Sequence, residues 1–355
     1  MPPACVVMAC KGDEPHLEEN IEAILNQSYP KFRVIIITDT REDPAYSIAN
    51  IILERHPTKD TRLFTADAYP HASGKVAALL TGLERDGWTS EAYAFVDSDA
   101  LTSRDWLRDM LDPLQDPLVG ATTGFRWYLP EKGGFWPQAE SAWNAAGTNV
   151  MFSEKYNFPW GGAMAMQRDT MEAINLRKLW ETALSDDLSL NRALRDHNYR
   201  VEFLPQCTVM TSSQSTAGSF LTWATRQIAL TRTFNRRLWE YGLAAYGLFT
   251  VLSVLGIMSL IAGVTLSPTW LLPAAMLFAP SILGVFRSNQ RIRTFRHALP
   301  EFASDLDRNH LAHSIASLIV PWIMTYCIIK SARTNEIEWR GRKYKLTGQM
   351  TLAST

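Results

Sequence analysis

Hydrophobic and polar positions follow two alternating patterns over the first hundred residues. Short apolar runs are typical of buried strands, and the segments after them repeat apolar residues at helical spacing. The predicted strands lie at 4–9, 32–37, 62–65 and 94–97, and the predicted helices at 17–27, 44–55 and 74–84. Strands and helices that alternate at such short intervals predict an α/β fold, a parallel sheet with helices on both faces.

Acidic residues recur where these predicted strands end. Asp39 follows the second strand, and Asp97 and Asp99 come directly after four apolar residues. Open α/β sheets bind ligands at this edge. Two carboxylates so close together can share a hard cation such as Mg²⁺ or Mn²⁺, which completes its shell with water and phosphate oxygens. Asp followed by Ser is also common in ordinary turns, so the pattern leaves both interpretations open.

Regular spacing weakens between residues 112 and 166, where tryptophans and glycine pairs collect. Tryptophan side chains such as Trp160 suit sugar stacking or an apolar acceptor, and they also form ordinary core. Gly161 and Gly162 would let a ligand approach the backbone closely. Farther along, Asp186 and Asp187 open a helix with Ser185 as its predicted N-cap. Acids in a first helical turn are stabilised by the backbone dipole and need no catalytic role.

The C-terminal part of the chain has the pattern of a membrane protein. No charged residue occurs from 242 to 286, which is long enough for two spans of about 20 residues each. A basic helix over 220–239 precedes them and predicts an interfacial helix on the headgroups. The predicted segments are an interfacial helix at 219–240, spans at about 243–264, 268–286 and 311–329, and a basic tail at 331–355. Pro321 lies inside the third span, so a re-entrant or interfacial element is the alternative there.

Composition and charge restrict the partners. The 355 residues have a formal net charge of −1, and this balance argues against a nucleic-acid partner. The four cysteines show neither disulfide nor metal-site spacing, so we expect reduced thiols in the cytosol. The first residues lack a basic segment and a long apolar segment, so no secretory signal is predicted.

Short motifs occur in a fixed order along nearly the whole chain. They are Lys11-Gly12-Asp13-Glu14-Pro15, Gln27-Ser28-Tyr29-Pro30, Glu42-Asp43-Pro44-Ala45, Gly74-Lys75-Val76, Asp97-Ser98-Asp99, Gly161-Gly162, Asp186-Asp187 and Trp339-Arg340-Gly341-Arg342-Lys343-Tyr344. This ordered set resembles the family 2 glycosyltransferases, and within them the ceramide glucosyltransferase group. The resemblance implies a GT-A fold over residues 1–218, Rossmann-like with a mostly parallel sheet, followed by interfacial and transmembrane helices.

The resemblance also implies roles for individual residues. An acid in the stretch from Asp39 to Asp43, with Asp39 and Asp43 as the candidates, would contact the uridine and ribose of a UDP-sugar. Asp97 and Asp99 would hold Mg²⁺ or Mn²⁺ with the diphosphate, and Asp187 would be the general base. The other implied residues are Lys11, Lys75, Arg226 and Arg232 at the nucleotide sugar, Asp186 beside the base, and Trp160, Gly161 and Gly162 at the sugar or acceptor. One base without an enzyme nucleophile implies inversion at the anomeric carbon.

Two features depart from the family pattern. The family carries Gln or Arg, two residues, and then Arg-Trp before the membrane segment, whereas this chain has Arg226-Gln227-Ile228-Ala229-Leu230. Either Arg232, near the same helical face, supplies the missing cation, or the donor contact or the activity differs. The N-terminal span that such enzymes commonly have is not predicted here.

Taken together, the motifs and the apolar C-terminal part predict a membrane-associated enzyme with its catalytic domain facing the cytoplasm. It would move glucose or a related hexose from a UDP-sugar to a lipid hydroxyl beside the bilayer. Arginines from residue 287 to 296 follow the predicted hairpin and agree with this orientation. The same fold could act on polyprenyl phosphate, diacylglycerol or a polysaccharide. An aspartyl-phosphate phosphatase and an inactive membrane-tethered binding protein are the remaining hypotheses.

Overall fold

The computed structural model describes residues 1–131, 133–339 and 341–346. These residues fall into two compact units, one of 1–127 with 147–212 and the other of 128–146 with 213–346. The domain boundary predicted at residue 218 stays a prediction. Arg340 of the closing motif and the end of the predicted basic tail lie outside the described residues.

Strands and helices alternate through the first unit. The strands are β1 Ala4–Cys10, β2 Phe32–Thr38, β3 Thr61–Thr65, β4 Ala92–Asp97, β5 Val119–Thr123, β6 Arg126–Pro130, β7 Ala163–Gln167, β8 Arg200–Phe203 and β9 Val209–Ser213. The helices are α1 Leu17–Leu25, α2 Pro44–Arg55, α3 Gly74–Asp86, α4 Trp106–Leu111, α5 Phe135–Met151, α6 Arg168–Ala173, α7 Leu176–Trp180 and α8 Asp186–Asp196. Strands β6 and β9 and helix α5 continue into the second unit.

The main sheet has the strand order β3-β2-β1-β4-β7-β5-β8. Strands β1, β2, β3 and β4 pair in parallel, and β5 pairs in parallel with β8. Strand β7 runs antiparallel to both of its neighbours, β4 and β5. The predicted α/β fold with a mostly parallel sheet is therefore confirmed.

Both faces of this sheet are covered. Along β1, Val6 and Met8 pack into the core formed with α1 and α2, while Cys5 and Val7 pack into the core formed with α3 and α8. A strand that is buried on both faces has no polar alternation, which is why β1, and β4 up to Asp97, appear as unbroken apolar runs in the sequence.

The second unit is mainly helical. Its further elements are α9 Ala217–Phe234, α10 Arg236–Thr265, α11 Leu271–Ala298, α12 Ala303–Ala316, α13 Val320–Ser331, β10 Glu336–Trp339 and β11 Arg342–Lys345. Its core is aromatic, and Trp143 contacts Phe220 and Trp223 edge-on with ring centroids 6.2 and 5.1 Å apart. The continuous helix predicted over 220–239 is in fact two helices, because the side chain of Asn235 accepts a hydrogen bond from the Leu238 N–H and so starts α10.

Among the described residues, two helices are long and apolar enough to cross a membrane, one over Arg236–Thr265 and one over Pro268–Ala298. Buried small residues on α10 let α11 approach closely, since a Cβ added at Gly263 would lie 2.5 Å from the Leu271 side chain. The third predicted span is bent by 66° between α12 and α13, where residues 317–319 separate the two helices and Pro321 lies in the first turn of α13. Two spans, or three if the bent pair counts as one, are therefore possible by length and composition.

Candidate active site

Asp97 and Asp99, here called the acid pair, lie at the carboxyl end of β4, where hydrogen bonds from three segments hold their backbone. The Asp97 N–H donates to the Gly162 carbonyl at 3.1 Å. The Asn20 amide of α1 donates to the Ser98 carbonyl at 2.8 Å, and the Thr211 hydroxyl donates to the Asp99 carbonyl at 2.8 Å. These hydrogen bonds fix the backbone of the loop that carries the two carboxylates.

Arg126, at the start of β6, joins the two carboxylates. Its Nη2 lies 2.9 Å from Asp97 Oδ2 and 2.6 Å from Asp99 Oδ1, and its Nη1 lies 2.8 Å from Asp99 Oδ2. The guanidinium carbon also lies 5.1 Å from the centroid of the Trp160 ring. Sequence reasoning missed this arginine, because it stands in the segment without regular spacing and belongs to none of the quoted motifs.

Lys75, in the first turn of α3, connects the acid pair to the second pair of acids. Its Nζ lies 2.7 Å from Asp97 Oδ1 and 3.0 Å from Asp186 Oδ2. It also donates to the Gly161 carbonyl at 3.0 Å. Burial alone would lower the pKa of Lys75, but the carboxylates of Asp186 and Asp97 outweigh it and raise the pKa above its usual value. The lysine therefore stays charged and holds both acids together.

Gly161 and Gly162 lie beside the carboxylates of Asp186 and Asp97. A Cβ added at Gly161 would lie 2.1 Å from Asp186 Oδ2, and one added at Gly162 would lie 2.7 Å from Asp97 Oδ2. The close approach that the glycines permit is thus made by the chain's own side chains, the two carboxylates and also the Trp160 ring, which would lie 2.1 Å from a Cβ added at Gly162. Their predicted role at a sugar or acceptor stays a prediction.

Asp187 differs from its neighbour Asp186 in both burial and partners. Asp186 is 2% exposed, whereas Asp187 is only partly buried. The Ser185 hydroxyl donates to Asp187 Oδ1, and its oxygen accepts no hydrogen bond from a backbone N–H of α8, so Ser185 stands at the N-cap position without capping the helix through its side chain. Desolvation raises the pKa of Asp187 to about 6, and the charge of Asp186 adds to the rise. A carboxylate with this pKa is suited to take up a proton near neutral pH.

The predicted nucleotide-binding acids lie at the same sheet edge. In the parallel register Cys10 stands opposite Thr38, and Ala9 opposite Asp97, so Lys11 and Asp39 directly follow the ends of neighbouring strands. Lys11 Nζ lies 2.7 Å from Asp39 Oδ2.

Asp43 caps α2 and accepts from the Gly12 N–H at 2.8 Å and the Ala45 N–H at 2.9 Å. This carboxylate therefore also ties the loop after β1 to the start of α2. The structure brings Lys11, Asp39 and Asp43 together, and their contact with a nucleotide stays a prediction.

The two predicted cations of α9 belong to the second unit. Arg226 Nη1 donates to the Glu338 carbonyl at 3.2 Å, and Arg232 donates to the carbonyls of Ala332 and Thr334 at 2.6 Å each. Both arginines thus bind the backbone of the segment that follows α13. Their role at the donor stays a prediction.

The two carboxylates of the acid pair fit a divalent cation. A single nitrogen, Arg126 Nη2, contacts an oxygen of each acid, so Asp97 and Asp99 converge on one point. Carboxylate oxygens are the ligands that Mg²⁺ and Mn²⁺ prefer. Among the described residues no group of three or more His, Cys, Asp or Glu is placed to hold a metal ion. An ion at this point would therefore need water or substrate oxygens to complete its shell.

A mostly parallel sheet with an acid pair at its carboxyl edge is the architecture of the GT-A fold. The chain belongs to glycosyl transferase family 21, whose family model matches residues 1–352. The predicted resemblance to the ceramide glucosyltransferase group is confirmed by two curated relatives.

Both relatives match only part of the chain. It is 26% identical to a ceramide glucosyltransferase of Komagataella phaffii over 116 residues, which are 30% of this chain and 23% of the relative. It is 37% identical to a ceramide glucosyltransferase of Pyricularia oryzae over 73 residues, which are 20% of this chain and 15% of the relative. The matched stretch is thus under a quarter of either relative.

The fold is also similar to that of a solved mannosyltransferase from Pyrobaculum calidifontis in complex with GDP-Man and Mn²⁺. The TM-score is 0.50 at 19% identity, over 93% of this chain and 86% of the other. At this identity the likeness shows the fold, which agrees with the sheet described above.

Proposed function

We propose that this protein transfers glucose from UDP-glucose to the hydroxyl of a lipid such as ceramide, with inversion at the anomeric carbon and with Mg²⁺ or Mn²⁺ as cofactor. The observation that carries the proposal is that the site contains two kinds of carboxylate. Asp97 and Asp99 converge on one cationic point, while Asp187 stands apart with its pKa raised to about 6. Metal binding and proton transfer need these two different kinds of carboxylate.

In the proposed reaction, Asp187 accepts the proton of the acceptor hydroxyl as its oxygen forms a bond to the anomeric carbon. The bond between that carbon and the diphosphate oxygen breaks, and UDP leaves with the electron pair. A bound divalent cation would offset the charge that develops on the departing diphosphate. Lys75 keeps Asp186 and Asp97 in place during these steps, because it is hydrogen-bonded to the backbone of Gly161 as well as to both acids.

The acceptor class is supported by the second unit. Large apolar side chains are exposed along α10 and α11, for example Leu248, Val264 and Leu272. Such surfaces suit a bilayer, where a lipid hydroxyl would meet a water-soluble donor. The arginines that follow in α11 favour a cytoplasmic orientation of this end of the helix.

The test measures UDP release by protein purified in detergent, with UDP-glucose, Mn²⁺ or Mg²⁺, and ceramide. Asp187→Asn should lose about 10²–10⁴-fold in rate, because the general base is removed without a change of shape. Asp67→Asn is the matched control, since Asp67 is an exposed surface acid paired with Arg85. Full activity of Asp187→Asn, or UDP release only with polyprenyl phosphate, diacylglycerol or polysaccharide acceptors, would contradict the proposal.

A further inference from the structure

Arg126 is the residue whose placement the proposed function leaves unexplained. Its side chain is only 12% exposed, and it holds Asp99 through two parallel hydrogen bonds and Asp97 through a third. Charge-assisted, bidentate contacts of this kind are among the strongest that a protein forms. The acid pair therefore has a counter-ion that the chain itself supplies.

Arg126 contacts the two carboxylates that would hold a divalent cation. The oxygens that Arg126 contacts are Asp97 Oδ2 and both carboxylate oxygens of Asp99. A cation held by Asp97 and Asp99 would compete with the guanidinium for these carboxylates. Metal binding to the free protein would then compete with three hydrogen bonds of Arg126.

A nucleoside diphosphate would change the competition between Arg126 and a metal for the acid pair. A guanidinium matches phosphate oxygens as well as carboxylate oxygens, in the same forked geometry. The displaced Arg126 would keep the Trp160 ring beside it, 5.1 Å from the guanidinium carbon. A nucleoside diphosphate would thus give the arginine a new anionic partner at the moment the metal takes its former one.

We propose that Arg126 is the resting counter-ion of the acid pair and makes metal binding depend on the nucleoside diphosphate of the donor. This inference rests on the proposed function, since it assigns the metal to Asp97 and Asp99. The coupling is reciprocal, so a nucleotide that releases Arg126 strengthens metal binding, and the metal strengthens nucleotide binding by the same factor.

The test is a Mn²⁺ titration followed by electron paramagnetic resonance of the free ion, with the full-length protein, in the presence and absence of UDP. The variants are Arg126→Met and the control Arg108→Met, which removes an arginine that pairs with two surface aspartates, Asp105 and Asp109. Without UDP, Arg126→Met should bind Mn²⁺ about tenfold more tightly than wild type, because the competing hydrogen bonds are gone. UDP should tighten Mn²⁺ binding less in this variant than in wild type, and Arg108→Met should match wild type in both conditions.

The inference is overturned if Arg126→Met binds Mn²⁺ no more tightly than wild type without UDP. Should that variant not fold, Arg126→Lys retains the charge but lacks the fork, and tighter Mn²⁺ binding than wild type supports the inference while equal or weaker binding refutes it. Asp97→Asn separates the two proposals. If Asp97→Asn leaves Mn²⁺ binding unchanged, the ion does not lie at the acid pair, and the metal site of the proposed function fails as well.

Discussion

Replacing Lys75 with methionine should destabilise the protein, because it removes the cation between two carboxylates. The Asp186 side chain is 3% exposed and lies 3.0 Å from Lys75 Nζ, so its charge has little access to water. Methionine retains much of the apolar stem, so the charge is the main loss. Removing one partner of a buried ion pair costs about 3–5 kcal/mol. For a unit of this size that corresponds to a melting temperature lower by about 6–20 °C, measured by tryptophan fluorescence in detergent.

The matched control is Arg85→Met, which breaks the exposed pair between Arg85 and Asp67, 2.9 Å apart. A surface pair contributes only about 0–1 kcal/mol, so this variant should melt close to wild type. Adding Asp186→Asn to Lys75→Met should restore part of the lost stability, because the uncompensated charge is then gone. The reasoning is refuted if Lys75→Met melts as close to wild type as the control does, or if the second substitution lowers the melting temperature further.

Two further predictions concern Asp187 and the contact between Gly161 and Asp186. The value of kcat/KM for UDP release should fall about tenfold per pH unit below pH 6 and level off above it, because Asp187, whose pKa burial raises to about 6, must be ionised to act as a base. A pH profile measured over pH 4.5–8 tests this, and an Asp187→Asn variant that retained the same acid limb would contradict the assignment. Gly161→Ala should lower the unfolding free energy by about 1–3 kcal/mol, because its Cβ would lie 2.1 Å from Asp186 Oδ2. Gly218→Ala, where nothing lies within 4 Å of the added Cβ, is the control in a thermal melt, and equal melting temperatures for the two variants would refute the prediction.

The sequence by itself determined the first four strands of the sheet and the position of the acids that follow them. Helix α2 spans Pro44–Arg55 as predicted, since proline and Asp43 mark its start unambiguously. Strand β4 ends at Asp97 as predicted, because a strand buried on both faces is a continuous apolar run that stops at its first charge. Signals of this kind are local, and a few neighbouring residues carry them.

Tertiary structure decided strand direction and charge pairing. The apolar pattern of β7 is the same whether it runs parallel or antiparallel, so only the pairing with β4 and β5 shows that it is reversed. Lys75 and Asp186 lie on different helices that are far apart in the sequence. Arg126 and the acid pair likewise belong to different strands, because Arg126 begins β6 and the acid pair lies at the end of β4. Which cation neutralises which carboxylate depends on distances of a few ångströms between such segments. For that reason the acids of this site could be named from the sequence, whereas Arg126, the residue that holds two of them together, emerged only from the fold.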